Sequence, residues 1–464
     1  MSHPFQALAE HLRRFGRPVL VLDLETTGGD FYRDRITEIA FLHFDRGQIR
    51  AVQHLVNPQR RIEPFVEQLT GLSDAMLEVQ PVFADILPHI LPLLRGSLLI
   101  AHNSRFDYTF LRHECRRAGV PFAAPALCSV QLSRKLYPEH YKHSLESIIE
   151  RHGIAVGGRH RAMADVQALA AFLQTALAER GAGAWQWHAE SLLNPLPLPE
   201  KLPNGLRRQT ESLHDGHGVS VFYDSRGGIL ALHGHSRAYT ELAQLLRRQP
   251  DHSLFQAASL RFHDTVGGLH SCFVRACLMA EHRLAPQENS TGCYGIRFSA
   301  DGKTGSLKAR VVPLQAGFHT EPPHGLFRHP KAAKRALAAW AGAHNICPTL
   351  LGILADPPPA GGACPVSLLR PCSAACRSGD TALHNQSTAA ALRSLPAGEW
   401  GAVPSVRIRE TDPVTGRSET FVCRHGALLL PDGHWYTDST LLAVLKDKFK
   451  KTRQDIEPLV EKAA

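Results

Sequence analysis

Seven residues near the N-terminus, Val19-Leu20-Val21-Leu22-Asp23-Leu24-Glu25, constrain the fold of this chain more than any others. A short apolar run halted by Thr26-Thr27-Gly28-Gly29 reads as a buried strand running into a turn. Its two acids are two positions apart, so on a strand both carboxylates leave the same face of the sheet. Side by side they repel, and keeping both ionised requires compensating positive charge. A divalent cation that prefers oxygen ligands, Mg²⁺ or Mn²⁺, supplies it. An isolated Asp-x-Glu is more often an exposed acidic pair at a strand end, so the weight falls on what else the sequence sends there.

Two later segments send more carboxylates. His102-Asn103-Ser104-Arg105-Phe106-Asp107 follows a predicted strand at 98–101, and Asp107 lies one turn ahead of Phe110 and Leu111 on an apolar helix face. His160-Arg161-Ala162-Met163-Ala164-Asp165 opens another helix, with Asp165 beside the apolar stripe Val166, Leu169, Ala170 and Leu173. At about 100° per residue, His160 and Asp165 would stand about 140° apart if both were helical. His160 is therefore expected ahead of the helix, on a loop.

Ile36 to Phe44 and Gln48 to Val56 read as strands joined at Asp45-Arg46-Gly47, and helical patterns fall at 81–94, 108–117, 144–152 and 162–177. Strands alternating with helices imply an α/β layer fold. With 464 residues the chain exceeds what one core serves. The expected division is a first domain over 1–180 and a linker over 181–205 containing Pro195, Pro197, Pro199 and Pro203. Two further domains follow, over 206–326 and 327–464. The net charge is +9, of which the first 180 residues carry +2, and this mild basic excess suits a polyanionic partner. No apolar run is long enough to span a membrane and no secretory layout opens the chain, so a cytoplasmic protein with no membrane partner is expected. In that compartment the ten cysteines do not suggest a disulfide framework.

The three acidic segments, in this order, resemble the exonuclease motifs of the DnaQ-like superfamily, the DEDD group that includes the proofreading subunit of bacterial replicative polymerases. His160 marks the DEDDh branch. Leu69-Thr70-Gly71-Leu72-Ser73-Asp74 and Lys142-His143-Ser144-Leu145 agree as well, so the likeness runs over residues 17–178. It departs at Cys128-Ser129, where many relatives have Asp-Thr. The resemblance implies an RNase H-like mixed sheet and two Mg²⁺ or Mn²⁺ ions held by Asp23, Glu25, Asp107 and Asp165, with His160 as general base. It places Thr26, Thr27, Asn103 and Phe106 against the terminal nucleotide, although Phe106 reads equally well as a packing aromatic. The implied reaction is 3′–5′ release of nucleoside monophosphates from DNA with a free 3′ end, in repair or proofreading, among repair or replication proteins. Trimming of RNA ends is the alternative substrate reading. A non-catalytic nucleic-acid-binding scaffold is the third, and the presence of all five residues argues against it.

Leu213 to Ser236 resembles the two signature strands of a small α+β GIY-YIG endonuclease domain, as in UvrC and Cho. Ser220 and Leu232 stand in place of its tyrosines, Thr240 in place of its helix arginine, and Arg275 near its metal-binding glutamate. The expectation is a folded, catalytically silent module. Cys347, Cys364, Cys372 and Cys376 cluster within thirty residues, and clustered thiols suggest metal binding. The surrounding Ile346-Cys347-Pro348-Thr349-Leu350-Leu351-Gly352 and His384-Asn385 resemble the UvrC/Cho cysteine segment, which implies a [4Fe–4S] cluster more than Zn²⁺. Four unmodified thiols left from an ancestral site are the alternative. For the other six cysteines, small buried side chains are the default reading.

Overall fold

The computed structural model describes residues 3–157, 160–248, 253–286, 290–322, 324–354, 366, 380–398, 400 and 405–459. The chain divides into two compact units, residues 1–264 with 412–417, and residues 265–411 with 418–464.

The first unit begins with α1 (Gln6–Leu12), β1 (Val19–Thr26), β2 (Ile36–Asp45) and β3 (Gln48–Leu55). Three helices follow, α2 (Pro64–Thr70), α3 (Asp74–Glu78) and α4 (Phe83–Leu94), and then β4 (Leu98–Ala101), α5 (Ser104–Arg117) and β5 (Ala126–Cys128). Helices α6 (Ser129–Leu136), α7 (Leu145–His152), α8 (Ala162–Arg180) and α9 (Ala182–Ser191) complete this layer. The sheet order is β3-β2-β1-β4-β5. β2 and β3 run antiparallel to their neighbours, while β4 and β5 run parallel. This is the mixed sheet expected of an RNase H-like fold, with β1 at its centre.

Alternation along β1 sorts its side chains into two cores. Val19 and Val21 pack with Ala40 and Leu42 against Val166, Leu169, Phe172 and Leu173 of α8. Leu20, Leu22 and Leu24 pack on the opposite face with Ile86 and Ile90 of α4 and with Phe110 and Leu111 of α5. Residues 181–205, read from their prolines as a linker, begin with α9, whose Trp185 is fully buried in the α8-side core. The apolar surface of one indole anchors the segment where composition suggested a tether.

The same unit continues with α10 (Asn204–Glu211), β6 (Gly218–Tyr223), β7 (Ile229–His235), α11 (Ala238–Arg248) and β8 (Ser259–Asp264). These strands form an antiparallel sheet in the order β7-β6-β8.

The second unit opens with α12 (Gly268–Glu281), followed by β9 (Ser290–Ala300), β10 (Leu307–Gln315), β11 (Gly317–His319), β12 (His324–Phe327) and α13 (Pro330–Ala343). After α14 (Thr381–Ala391) come β13 (Ser405–Thr411), β14 (Ser418–Arg424), β15 (Ala427–Leu429), β16 (Trp435–Thr437), α15 (Ser439–Lys451) and β17 (Ile456–Pro458). Its sheets are ordered β10-β9-β12 and β11-β16-β15-β14-β13-β17. Among the described residues, no helix is long and apolar enough to cross a membrane.

Candidate active site

The β1–β2 register places Asp23 opposite Ala40 and Glu25 opposite Glu38, and it shifts between Glu25 and Thr26 where the strand ends. Residues directly opposite in an antiparallel pair share a face. Asp23, Glu25 and Glu38 therefore all project toward α8. Asp165 adds a fourth carboxylate from the first turn of α8, where the helix dipole favours an anion. Carboxylate oxygens of Asp23, Glu25 and Asp165 lie within 4.8 Å of one another. Three half-buried or buried acids this close repel, and their hard oxygen donors fit a divalent cation. Among the described residues, this is the one group of three or more His, Cys, Asp or Glu side chains near enough to share an ion.

Asp107 stands outside that trio and approaches from the first turn of α5. β4 pairs with β1 from Val19 to Val21, and the Leu24 amide beyond that stretch donates to the Asp107 carboxyl, as does the backbone of Asp107 itself. Burial, reinforced by the charge of Glu25, nevertheless pushes Asp107 up to about 8. Near neutral pH and without a cation, this group holds a proton.

Glu38 is a residue that sequence reasoning missed. Its fully buried carboxylate accepts two bonds from the Arg161 guanidinium, both at 3.1 Å, one from Gln53 Nε2 at 2.6 Å and one from the Ala162 amide at 3.2 Å. Helix α8 has no side-chain cap of its own, so Glu38 serves the orphan amide that a capping residue would normally satisfy. The ion pair also offsets the charge that Glu38 sets opposite Glu25. The visible signal was a single acid inside the apolar run from Ile36 to Phe44.

His160 immediately precedes Arg161, half-buried and with φ of +59°. Anchored through Arg161, it lies ahead of α8 rather than within it. Asn103 is exposed at the start of α5 with φ of +71°, a left-handed conformation that asparagine tolerates better than most residues. Phe106 packs against Phe110 and Phe31 with ring centroids 4.8 and 6.0 Å apart, and is half-buried. Thr26 is buried and its hydroxyl donates to Gly28 O at 2.7 Å. Thr27 is fully buried; its hydroxyl donates to Asp34 at 2.8 Å, its amide to Arg35 O, and its carbonyl accepts from Glu63. Thr27 thus shapes the loop after β1. At Cys128-Ser129, buried Ser129 places its hydroxyl 2.9 Å from Nδ1 of His102, tying β5 to the segment that carries Asp107.

In the β6–β8 module, Ser220 Oγ lies 2.7 Å from His235 Nε2, and His235 Nδ1 lies 3.3 Å from Glu241. Burial works against the Glu241 charge, yet hydrogen bonds from His235 and Ser236 hold Glu241 down at about 2. Ser220 is fully buried, so the relay leads from inside the sheet to Glu241 on α11 at the surface. Arg275, on α12, is ion-paired with Asp438, which also accepts from Tyr436 at 2.6 Å. Cys347 is buried and free; Cys364, Cys372 and Cys376 lie outside the described residues. Of the other six cysteines, Cys115, Cys272 and Cys423 are buried, as expected, whereas Cys128, Cys277 and Cys293 are half-buried.

Residues 20–173 match the family model for exonucleases, and residues 304–394 match that for the middle domain of UvrC/Cho excinucleases. The DNA polymerase III subunit epsilon of Aquifex aeolicus is 32% identical over 148 residues, 32% of this chain and 73% of that protein. Through its first domain the chain belongs to this family of DnaQ-like exonucleases, and a UvrC-like region follows it. The PolC-type DNA polymerase III of Caldanaerobacter subterraneus is 32% identical over 152 residues, and the chain spans 11% of its length. A Mycobacterium tuberculosis protein whose name describes a bifunctional exonuclease/endonuclease is 31% identical over 221 residues, 46% of this chain and 34% of its own.

Proposed function

We propose that this chain is a metal-dependent 3′–5′ exodeoxyribonuclease of the DEDDh type that releases nucleoside monophosphates from DNA 3′ ends in repair or proofreading. The observation that carries the reading is the convergence of Asp23, Glu25 and Asp165 within 4.8 Å, with Asp107 reaching the same strand from the other side of the sheet. In this reading the four carboxylates hold two Mg²⁺ or Mn²⁺ ions. Bound there, such ions supply Lewis-acid polarisation of the scissile phosphate and stabilise charge on the departing 3′ oxygen.

His160 accepts the proton of the attacking water, a role its placement on the loop ahead of α8 allows. Glu38 and Arg161 hold that loop to the sheet. Asn103 and Phe106 are assigned to the terminal nucleotide, with the backbone about Thr26 and Thr27 beside them. The exonuclease layer is assigned to the first 180 residues with α9 packed on it, and the region from 206 onward is assigned a binding or docking role rather than cutting. In that region Ser220 and Arg275 are consumed by internal contacts. The four clustered thiols are assigned to a [4Fe–4S] cluster rather than Zn²⁺, and buried, unpaired Cys347 suits a shielded ligand.

The test is product analysis on 3′- and 5′-labelled DNA and RNA oligomers with Mn²⁺, using the wild-type chain, Asp23→Ala and His160→Ala. Expected are mononucleotide release from DNA 3′ ends, a loss of about 10²- to 10⁴-fold for His160→Ala, and a deeper loss for Asp23→Ala. Equal rates from wild type and Asp23→Ala would defeat the reading. Faster cleavage of RNA would move it to RNA-end trimming.

A further inference from the structure

Helix α5 carries Asp107 in its first turn and, from the next residue on, a second set of commitments. Tyr108, Arg112 and Arg116 recur every four residues and so form one stripe along the helix. All three engage the segment from His214 to Asp264. Tyr108 Oη donates to Asp215 Oδ2 at 3.3 Å, and Arg112 Nη1 donates to the Asp215 carbonyl oxygen. Arg116 Nη2 donates to Asp264 Oδ1 at 2.9 Å, and Arg116 Nη1 lies 2.9 Å from His214 Nδ1.

Asp215 is the hub. Its carboxylate is fully buried, and it accepts from Arg237 at 2.8 and 3.2 Å and from both the amide and the hydroxyl of Thr240 at 2.8 Å. A buried carboxylate with this many donors has one well-defined orientation, because any rotation leaves donors unpaired in a low-dielectric interior. Thr240, in the first turn of α11, is one of those donors.

We propose that the β6–β8 module is a positioning element of the exonuclease site. Asp215 fixes the angle and register of α5 through Tyr108 and Arg112, and thereby sets the Asp107 carboxyl against β1. Asp215 touches no reacting atom and acts only through α5. The proposal rests on the exonuclease reading above.

The test uses the full chain and two variants, Asp215→Asn and Tyr108→Phe. The latter removes only the hydroxyl that meets Asp215. The readouts are the Mn²⁺ concentration giving half-maximal cleavage, kcat and KM on a single-stranded DNA oligomer, and Mn²⁺ affinity by calorimetry without substrate. Partners behind the ligands of a metal site characteristically shift affinity by about 10- to 100-fold. The expected result is a rise of about tenfold in the Mn²⁺ requirement for Asp215→Asn and a smaller rise for Tyr108→Phe, with KM for the oligomer unchanged.

Melting temperatures that drop while Mn²⁺ affinity and kcat stay at wild-type values would make the contact a plain structural joint and overturn the proposal. If Asp215→Asn does not fold, an unchanged Mn²⁺ affinity in Tyr108→Phe overturns it equally. If the wild-type chain does not cleave DNA, the exonuclease reading falls, and calorimetry on the same proteins still decides the coupling.

Discussion

The proton on Asp107 should make cation binding strongly pH-dependent. Burial and the Glu25 charge push Asp107 up to about 8, whereas a carboxylate must be ionised to ligate a cation, so binding expels the proton. Ion binding near neutral pH should therefore release a proton, and the release should fade as pH rises past the range where the cation-free group holds it. Mg²⁺ affinity should accordingly rise about tenfold per pH unit up to about pH 8 and then level off. Calorimetric Mg²⁺ titrations in two buffers of different ionisation enthalpy measure both quantities at once. Asp107→Asn should flatten the profile and abolish DNA cleavage. The sign for stability is opposite to that of an ordinary aspartate. Between its usual 3.8 and about 8 the folded, cation-free chain binds a proton that the unfolded chain does not, so stability falls as pH rises through that window. Asp107→Asn should therefore melt above wild type at pH 8.5 in chelator. Buffer-independent heats at pH 7 together with a pH-invariant affinity would refute the assignment of Asp107 as a ligand.

Three other outcomes are expected. Glu38→Ala strips a charged acceptor from Arg161 and the buried Ala162 amide; because the Arg161 side chain is 41% exposed, the cost should be about 1–3 kcal/mol in urea unfolding, with a larger proportional loss of turnover. A shift under about 0.5 kcal/mol with normal turnover would contradict the anchoring role, since surface substitutions fall in that range. Trp185→Ala should cost about 3–5 kcal/mol, whereas a neutral result would return residues 182–191 to the status of a tether. Glu241→Gln should lower the melting temperature at pH 7, and the difference should fade as pH falls from about 4.5 toward about 2, where the wild-type group finally protonates. A difference that persists at pH 2 would contradict this.

The sequence made the exonuclease layer legible because its signals are periodic and local. β1, the β2–β3 hairpin, β4 and α8 follow apolar runs and a Gly turn, and the three acidic segments are distinctive in order. What escaped were elements too short to show a period, such as the three residues of β5, and residues whose meaning depends on a distant partner. Glu38 needs Arg161, 123 positions away, before it becomes more than a lone acid in a strand. Asp215 likewise needs Tyr108 and Arg112. The hydrogen bonds of Thr27 to Asp34, Arg35 and Glu63 also lie outside what motif position shows. The proline count at 195–203 suggested a tether because composition does not register one tryptophan seated in a core.

The alignment of Glu25 across from Glu38 gives a bound cation an architectural duty. At that corner the sheet is stitched by backbone bonds while its acidic side chains repel, and the Arg161 charge, hydrogen-bonded to Glu38 and also felt by Glu25, offsets part of that repulsion. An ion that visits for chemistry would also act as a rivet, so stripping it with EDTA should loosen the end of β1 before any other part of the layer, with the amides of Thr26 and Ile36 exchanging first.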